Sequence, residues 1–368
     1  MLTRLRTPLT RLLAPFLRAA PTLRPTFGTS NRLATNQASY STSGVTPSST
    51  STSTSSSSSS SSSLFPSVGL NALDFPYLKS NPRVSTLTNA PLDWAKGTTI
   101  EDAPLLIMHG LLGSAGNWRT TAPKLASHRR ILSLDLRNHG ASPHVADMRF
   151  RSCAADVVRL MDERGIDKAI VLGHSLGGKV AMATGLLHPD RIVSVISVDM
   201  APQNYNLGQD GWTGVNQIVE ACAQVPLSAM RSRSEVDIFL KPLIPDFMTR
   251  AFVLQNIQVQ TVTNEAGEKV QSVAWRCNLP LLRSSLPQIA TFNLDSPHEP
   301  FAGPALFVGG GNSPYLTIHQ ADSLKQHFPN HEWENIPGAG HWVHVEKPNE
   351  FVEIVRGYLK KLETPKQQ

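Results

Sequence analysis

Residues 168 to 188 read KAIVLGHSLGGKVAMATGLLH, and this stretch constrains the fold more than any other. Lys168 to Leu172 has the short apolar run of a buried strand. Leu176 to His188 has the length and composition of a helix, closed by Pro189. Between them Gly173-His174-Ser175-Leu176-Gly177 must turn the chain from strand to helix within a few residues. A serine on so sharp a turn is held in a strained backbone, and glycines two residues to either side keep its neighbours from clashing. Alone the pattern G-x-S-x-G is weak, but between a strand and a helix it becomes a strong sign of a nucleophile elbow.

The rest of the chain agrees. Further strands are expected at Val84–Thr88, Pro91–Ala95, Pro104–His109, Arg130–Asp135, Arg191–Val198, Pro304–Val308 and Glu332–Ile336. Helices are expected at Trp118–Ser127, Arg151–Arg164 and Asn349–Leu362. Ala154, Val157, Val158 and Met161 form the apolar stripe of the second. Strands alternating with helices specify an α/β fold with a mostly parallel, eight-stranded sheet. Between Met200 and about Pro300 the alternation gives way to helical patterns with several prolines. About 201–300 is therefore read as a strandless helical cap, inserted after the sixth strand of a domain spanning 67–368.

Charge divides the chain differently. Lys and Arg number 34 against 28 Asp and Glu, a formal net charge of +6. Residues 1 to 73 hold six arginines, no lysine and no acid, leaving 28 basic and 28 acidic residues beyond them. The excess belongs to the leader, so a nucleic-acid-binding globule is not indicated. In residues 1–45, arginines spaced among leucines, with abundant Ser and Thr, match an amphipathic mitochondrial transit peptide. Ser48 to Ser63 contains only Ser and Thr, so 46–66 is a spacer with no apolar surface to offset its ordering entropy. Three cysteines without CxxC spacing supply neither a disulfide framework nor a zinc site. No apolar run approaches the roughly 18 residues that a membrane span needs.

Ser175 as nucleophile requires a base, and the base requires an acid that fixes its tautomer. His341 follows the last strand and the small-residue loop Pro337-Gly-Ala-Gly340, which lets an imidazole approach the turn. His344 is the local competitor and reads as a packed residue. His341, His344 and Glu346 have no HExxH or cysteine pair beside them, so no metal site is expected. The loop Gly309-Gly-Gly-Asn-Ser-Pro-Tyr315 contains no carboxylate. Asp199 ends the strand after the serine helix, at the carboxyl edge where α/β sites assemble. It preserves the order serine, acid, histidine, with Asp295 and Asp322 the weaker choices. Backbone N–H groups of Leu111, after the strand ending at His109, and of Leu176 are the expected oxyanion donors. Asp135 to Ser142 is read as a hydrogen-bonded structural turn. No cofactor is called for.

Five segments carry a family resemblance: His109-Gly-Leu-Leu-Gly-Ser114, Asp135-Leu-Arg-Asn-His-Gly140, Gly173-His-Ser-Leu-Gly-Gly-Lys179, Trp275-Arg-Cys-Asn278 and Gly340-His-Trp-Val-His344. Together, from about Val84 to Leu362, they resemble the serine α/β-hydrolases. The branch is that of animal mitochondrial α/β-hydrolase-domain proteins, the yeast ethanol acetyltransferase group and small bacterial acyl-CoA esterases. The resemblance implies an acid on the strand after the nucleophile helix, in agreement with Asp199. It also implies short acyl esters or thioesters, acyl-CoA among them, as small-molecule partners. The expected function is thus a mitochondrial, matrix-located serine esterase or thioesterase. The alternatives are an alcohol O-acetyltransferase with the same triad and, third, a non-catalytic binding protein that keeps the fold. The cap's Phe239, Leu243, Phe247, Phe252 and Leu254 are read as its own core.

Overall fold

The computed structural model describes residues 68–75, 103–126, 129–206 and 212–363. The expected transit peptide, the spacer and the strands at Val84–Thr88 and Pro91–Ala95 lie outside the described residues.

The chain forms β1 (Ala72–Phe75), β2 (Leu105–Met108), α1 (Ala122–Leu125), β3 (Ile131–Leu134), α2 (Phe150–Glu163), β4 (Ala169–His174), α3 (Leu176–Leu187) and β5 (Ile192–Val198). An inserted segment follows, with α4 (Trp212–Ala223), α5 (Arg233–Leu240), α6 (Phe247–Leu254), β6 (Ile257–Thr263), β7 (Lys269–Trp275), α7 (Leu279–Ser284) and α8 (Leu286–Ala290). The core resumes with β8 (Ala305–Gly310), α9 (Ala321–His327), β9 (His331–Ile336), α10 (Val343–Glu346) and α11 (Pro348–Glu363).

Among the described residues the main sheet has seven strands in the order β1-β3-β2-β4-β5-β8-β9. Only the edge strand β1 runs antiparallel. Side chains of a strand alternate between faces. On β2, Leu106 and Met108 join the core packed by α2 and α3, while Leu105 and Ile107 join the one packed by α1 and α11. Helices on both faces explain why β2, β3 and β4 are buried along their whole length.

Two expectations need correction, and one strand is additional. The insertion is not strandless: β6 and β7 pair as an antiparallel hairpin from Ile257↔Trp275 to Thr263↔Lys269. IQVQTVT and KVQSVAW alternate with period 2, and Gly267 at φ +80° closes the turn between them. Strand β1 was not anticipated, because four residues against one neighbour leave little pattern to read. The helix expected over Trp118–Ser127 is instead a 3-10 turn (Ala115–Trp118) followed by α1. With two expected strands outside the described residues, the insertion follows the fifth described strand.

The chain runs from β2 outward to β3, then crosses back to place β4 on β2's other side. The carboxyl ends of β2 and β4 therefore flank the point where the strand order reverses. In open α/β sheets ligands bind in the crevice at that point. No helix of the described residues is long and apolar enough to cross a membrane.

Candidate active site

Ser175 stands between β4 and α3 with φ +55° and ψ −117°, a conformation that costs a non-glycine residue on the order of 1–3 kcal/mol. The surroundings enforce it. A Cβ on Gly173 would lie 1.9 Å from the carbonyl oxygen of Gly177. A Cβ on Gly177 would lie 2.5 Å from that of Met108 and 2.6 Å from that of His109. The turn thus packs backbone against backbone and lifts Ser175 to the amino terminus of α3, where backbone donors and the helix dipole favour developing negative charge.

Asp199 follows β5, is fully buried and also has a positive φ, +53°. Its Oδ1 accepts from the backbone N–H of Gly310 at 3.1 Å, and its Oδ2 lies 2.6 Å from Nδ1 of His341. The hydroxyl of Ser313 donates to the same Oδ2. A carboxylate taken from water survives burial when its lone pairs are met in this way. Because Oδ2 accepts, Nδ1 of His341 carries the hydrogen and Nε2 is the nitrogen left for a hydroxyl.

His341 is further fixed by two neighbours, His174 and Tyr315. Its carbonyl accepts from Nε2 of His174 at 2.8 Å. The rings of His174 and Tyr315 stand 4.7 Å and 4.2 Å from its own. Burial pushes His174 well below the usual histidine range, with His344 and His341 reinforcing the shift. His174 is therefore neutral and acts as a spacer.

Ser175 and His341 line one cleft of about 370 Å³. Leu111, Val215, Ile218, Val219, Phe252 and Trp342 give it apolar walls. The inserted segment supplies one side of the cleft through α4 and α6. Leu111 and Leu176 also meet Ser175 around a second, much smaller chamber of about 20 Å³. The expected nucleophile, acid, base and oxyanion donors (Ser175, Asp199, His341, Leu111 and Leu176) are thus brought to this region.

The competing histidine has a different fate. His344 is buried, stacks on Trp118 at 4.2 Å, and is pushed down to about 3 by burial and the neighbouring His341. Asp135 accepts from the backbone N–H groups of Ala115 and Ala141 at 2.6 and 2.9 Å and from Asn71 Nδ2 at 2.8 Å. It holds a turn. Asn278 binds Asn138 through both backbone (2.9 Å) and side chain (3.1 Å), tying the Trp275–Asn278 segment to the Asp135–Gly140 loop. Neither Ser313 nor the Gly310 N–H was read as a site residue, since their partner lies over 100 positions away.

Residues 103–348 match the family model described as alpha/beta hydrolase fold. The mouse protein named sn-1-specific diacylglycerol lipase ABHD11 is 33% identical over 259 residues, 69% of this chain and 80% of that one. Esterase YbfF of Escherichia coli strain K12 is 33% identical over 260 residues, 70% of this chain and 93% of that one. A solved structure titled marine microorganism esterase superposes with a TM-score of 0.67 at 29% identity, covering 78% of this chain and 98% of its own. A strained serine at the strand-order reversal and a parallel sheet wrapped on both faces agree with these likenesses: the chain belongs to the α/β-hydrolase family.

Proposed function

We propose that this protein cleaves carboxylic esters or thioesters through an acyl-Ser175 intermediate. The observation that carries the reading is the 2.6 Å contact of buried Asp199 with Nδ1 of His341, beside a cleft that Ser175 also lines. Nε2 of His341 takes the hydroxyl proton as Ser175 Oγ attacks the acyl carbon, and Asp199 stabilises the imidazolium that results. The carbonyl oxygen becomes an oxyanion held by the N–H groups of Leu111 and Leu176. Collapse expels the alcohol or thiol, which takes the proton from His341. A water molecule then repeats the sequence at the acyl-enzyme and releases the acid.

The apolar walls suit an apolar acyl chain. The mouse relative's name, sn-1-specific diacylglycerol lipase, makes acylglycerols the first natural substrates to try. In a second version of the reading a small alcohol replaces water as acceptor; the triad chemistry is unchanged, and only the exclusion of water differs. Protein beginning at Leu64 would be given p-nitrophenyl esters, a diacylglycerol and acetyl-CoA, each with and without ethanol. Free acid at every ethanol level supports the hydrolase, whereas ethyl ester formed in proportion to substrate lost supports the transferase. Equal turnover by wild type and Ser175→Ala overturns both, and no turnover of any substrate favours the non-catalytic alternative.

The leader is proposed as a mitochondrial transit peptide over 1–45, followed by the Ser/Thr spacer, on the strength of six arginines without an acid. Import into isolated mitochondria, with loss of the leader, is the expected result. Import that is unaffected by deleting 1–45 would contradict it.

A further inference from the structure

Helix α3 contains one charged residue, Lys179, and buries it completely. A methionine would fill the same space without desolvating a charge, so the cation requires an account. Its backbone N–H donates to the carbonyl of Ser175 at 3.1 Å. Its Nζ donates to three carbonyls in succession: Ile289 at 2.9 Å, Ala290 at 2.7 Å and Thr291 at 2.9 Å. These lie where the inserted segment returns to the core. Nζ also stands 4.8 Å from the ring of Tyr205 and 5.6 Å from that of Trp212, the negative faces that attract cations. Trp212 begins α4, which leaves the core, and Tyr205 precedes it. No carboxylate pairs with Lys179 among the described residues. Burial alone drives an ammonium toward losing its proton. Three carbonyls oppose this, because only the protonated form has three hydrogens to give.

We propose that Lys179 is a positioning residue whose ammonium clamps both the departure and the return of the inserted segment onto the helix that carries Ser175. The clamp fixes α4, whose Val215, Ile218 and Val219 form a wall of the cleft. It reaches the catalytic side as well, since the Tyr205 hydroxyl donates to the carbonyl of Tyr315 at 2.7 Å and the Tyr315 ring packs on His341. A long acyl chain needs that wall, whereas an acetyl group, reacting at Ser175 itself, needs it little. In its kinetic consequence this rests on the ester-cleaving reading above.

The test compares wild type, Lys179→Met and Lys179→Gln. Turnover is measured on p-nitrophenyl acetate and p-nitrophenyl octanoate, and amide hydrogen exchange is measured without substrate. For Lys179→Met, kcat/KM on octanoate falls about tenfold further than on acetate, mainly through KM. Exchange quickens at 212–223 and 286–291 while α2 and the central strands keep their protection. Lys179→Gln keeps two hydrogens for the three carbonyls; it shows the same pattern more weakly, and carries the reading if Lys179→Met fails to fold. Equal losses on both esters, exchange that quickens throughout the sheet, or unchanged exchange at 212–223 and 286–291 would each overturn the proposal. If wild type cleaves neither ester, p-nitrophenyl esters are not its substrates, and the exchange comparison alone decides whether Lys179 holds the insertion.

Discussion

Ser313 donates its hydroxyl to Oδ2 of Asp199, the same carboxylate oxygen that receives Nδ1 of His341. The loop after β8, which lacks any carboxylate of its own, contributes to the site by holding another strand's acid in place. Removing this bond leaves Asp199 with the Gly310 N–H and the imidazole alone. Ser313→Ala therefore lowers kcat by about tenfold, the worth of one charge-assisted hydrogen bond. Asp199→Asn lowers it by on the order of 10⁴ by favouring the wrong tautomer of His341. Steady-state kinetics on a single ester, with circular dichroism to show that both variants fold, checks the ranking. Equal rates for Asp199→Asn and wild type would remove Asp199 from the mechanism.

Two glycines of similar appearance in the sequence have opposite tolerances. A Cβ on Gly177 meets the backbone carbonyls of Met108 and His109, whereas one on Gly214 in α4 meets nothing within 4 Å. Gly177→Ala destabilises by ~3 kcal/mol, because a strand end must shift rather than a side chain. Gly214→Ala stabilises by about 0.5–1 kcal/mol through helix propensity and reduced chain entropy. Urea unfolding of the two variants reads both signs.

Acid sensitivity follows from the buried histidines. An unfolded imidazole takes its proton near 6.5, whereas buried His344 does so only at about 3. Between those values the unfolded chain binds more protons, so stability rises with pH and is lost on acidification. From pH 6.5 to 4.5, His344 alone accounts for roughly 2–3 kcal/mol of that loss. His344→Phe keeps a ring on Trp118 but cannot titrate, and flattens the dependence. A series of urea midpoints across that interval measures it; an unchanged slope would show that His344 is not the group responsible.

The core of the fold was legible because its signals are local. Each buried parallel strand is a short apolar run, and the elbow at Gly173 to Gly177 announces the strand and helix that it joins. The pairing of Asp199 with His341 was legible by elimination, since the loop from Gly309 to Tyr315 offers no acid. What escaped was mostly long-range. Nothing near Ser313 reveals that its hydroxyl ends on a carboxylate 114 positions earlier. The three carbonyls around Lys179 belong to residues at least 110 positions later. The signal there was a lone cation in an otherwise uncharged helix, which periodicity does not register. The β6–β7 hairpin is a different case. Its alternation was present in the sequence, but the surrounding helical patterns and prolines outweighed it.

In the proposed reaction Ser175 carries the acyl group between two chemical steps. A rapid-quench experiment with p-nitrophenyl acetate, followed by mass spectrometry of the peptide containing Ser175, addresses it most directly. This peptide is expected to gain one acetyl group transiently, before the steady state and at up to one equivalent per chain. Asp199→Asn should slow its appearance, and Ser175→Ala should abolish it while leaving the fold intact. Turnover at the wild-type rate by Ser175→Ala, or acetyl found on another residue at a competent rate, would contradict it.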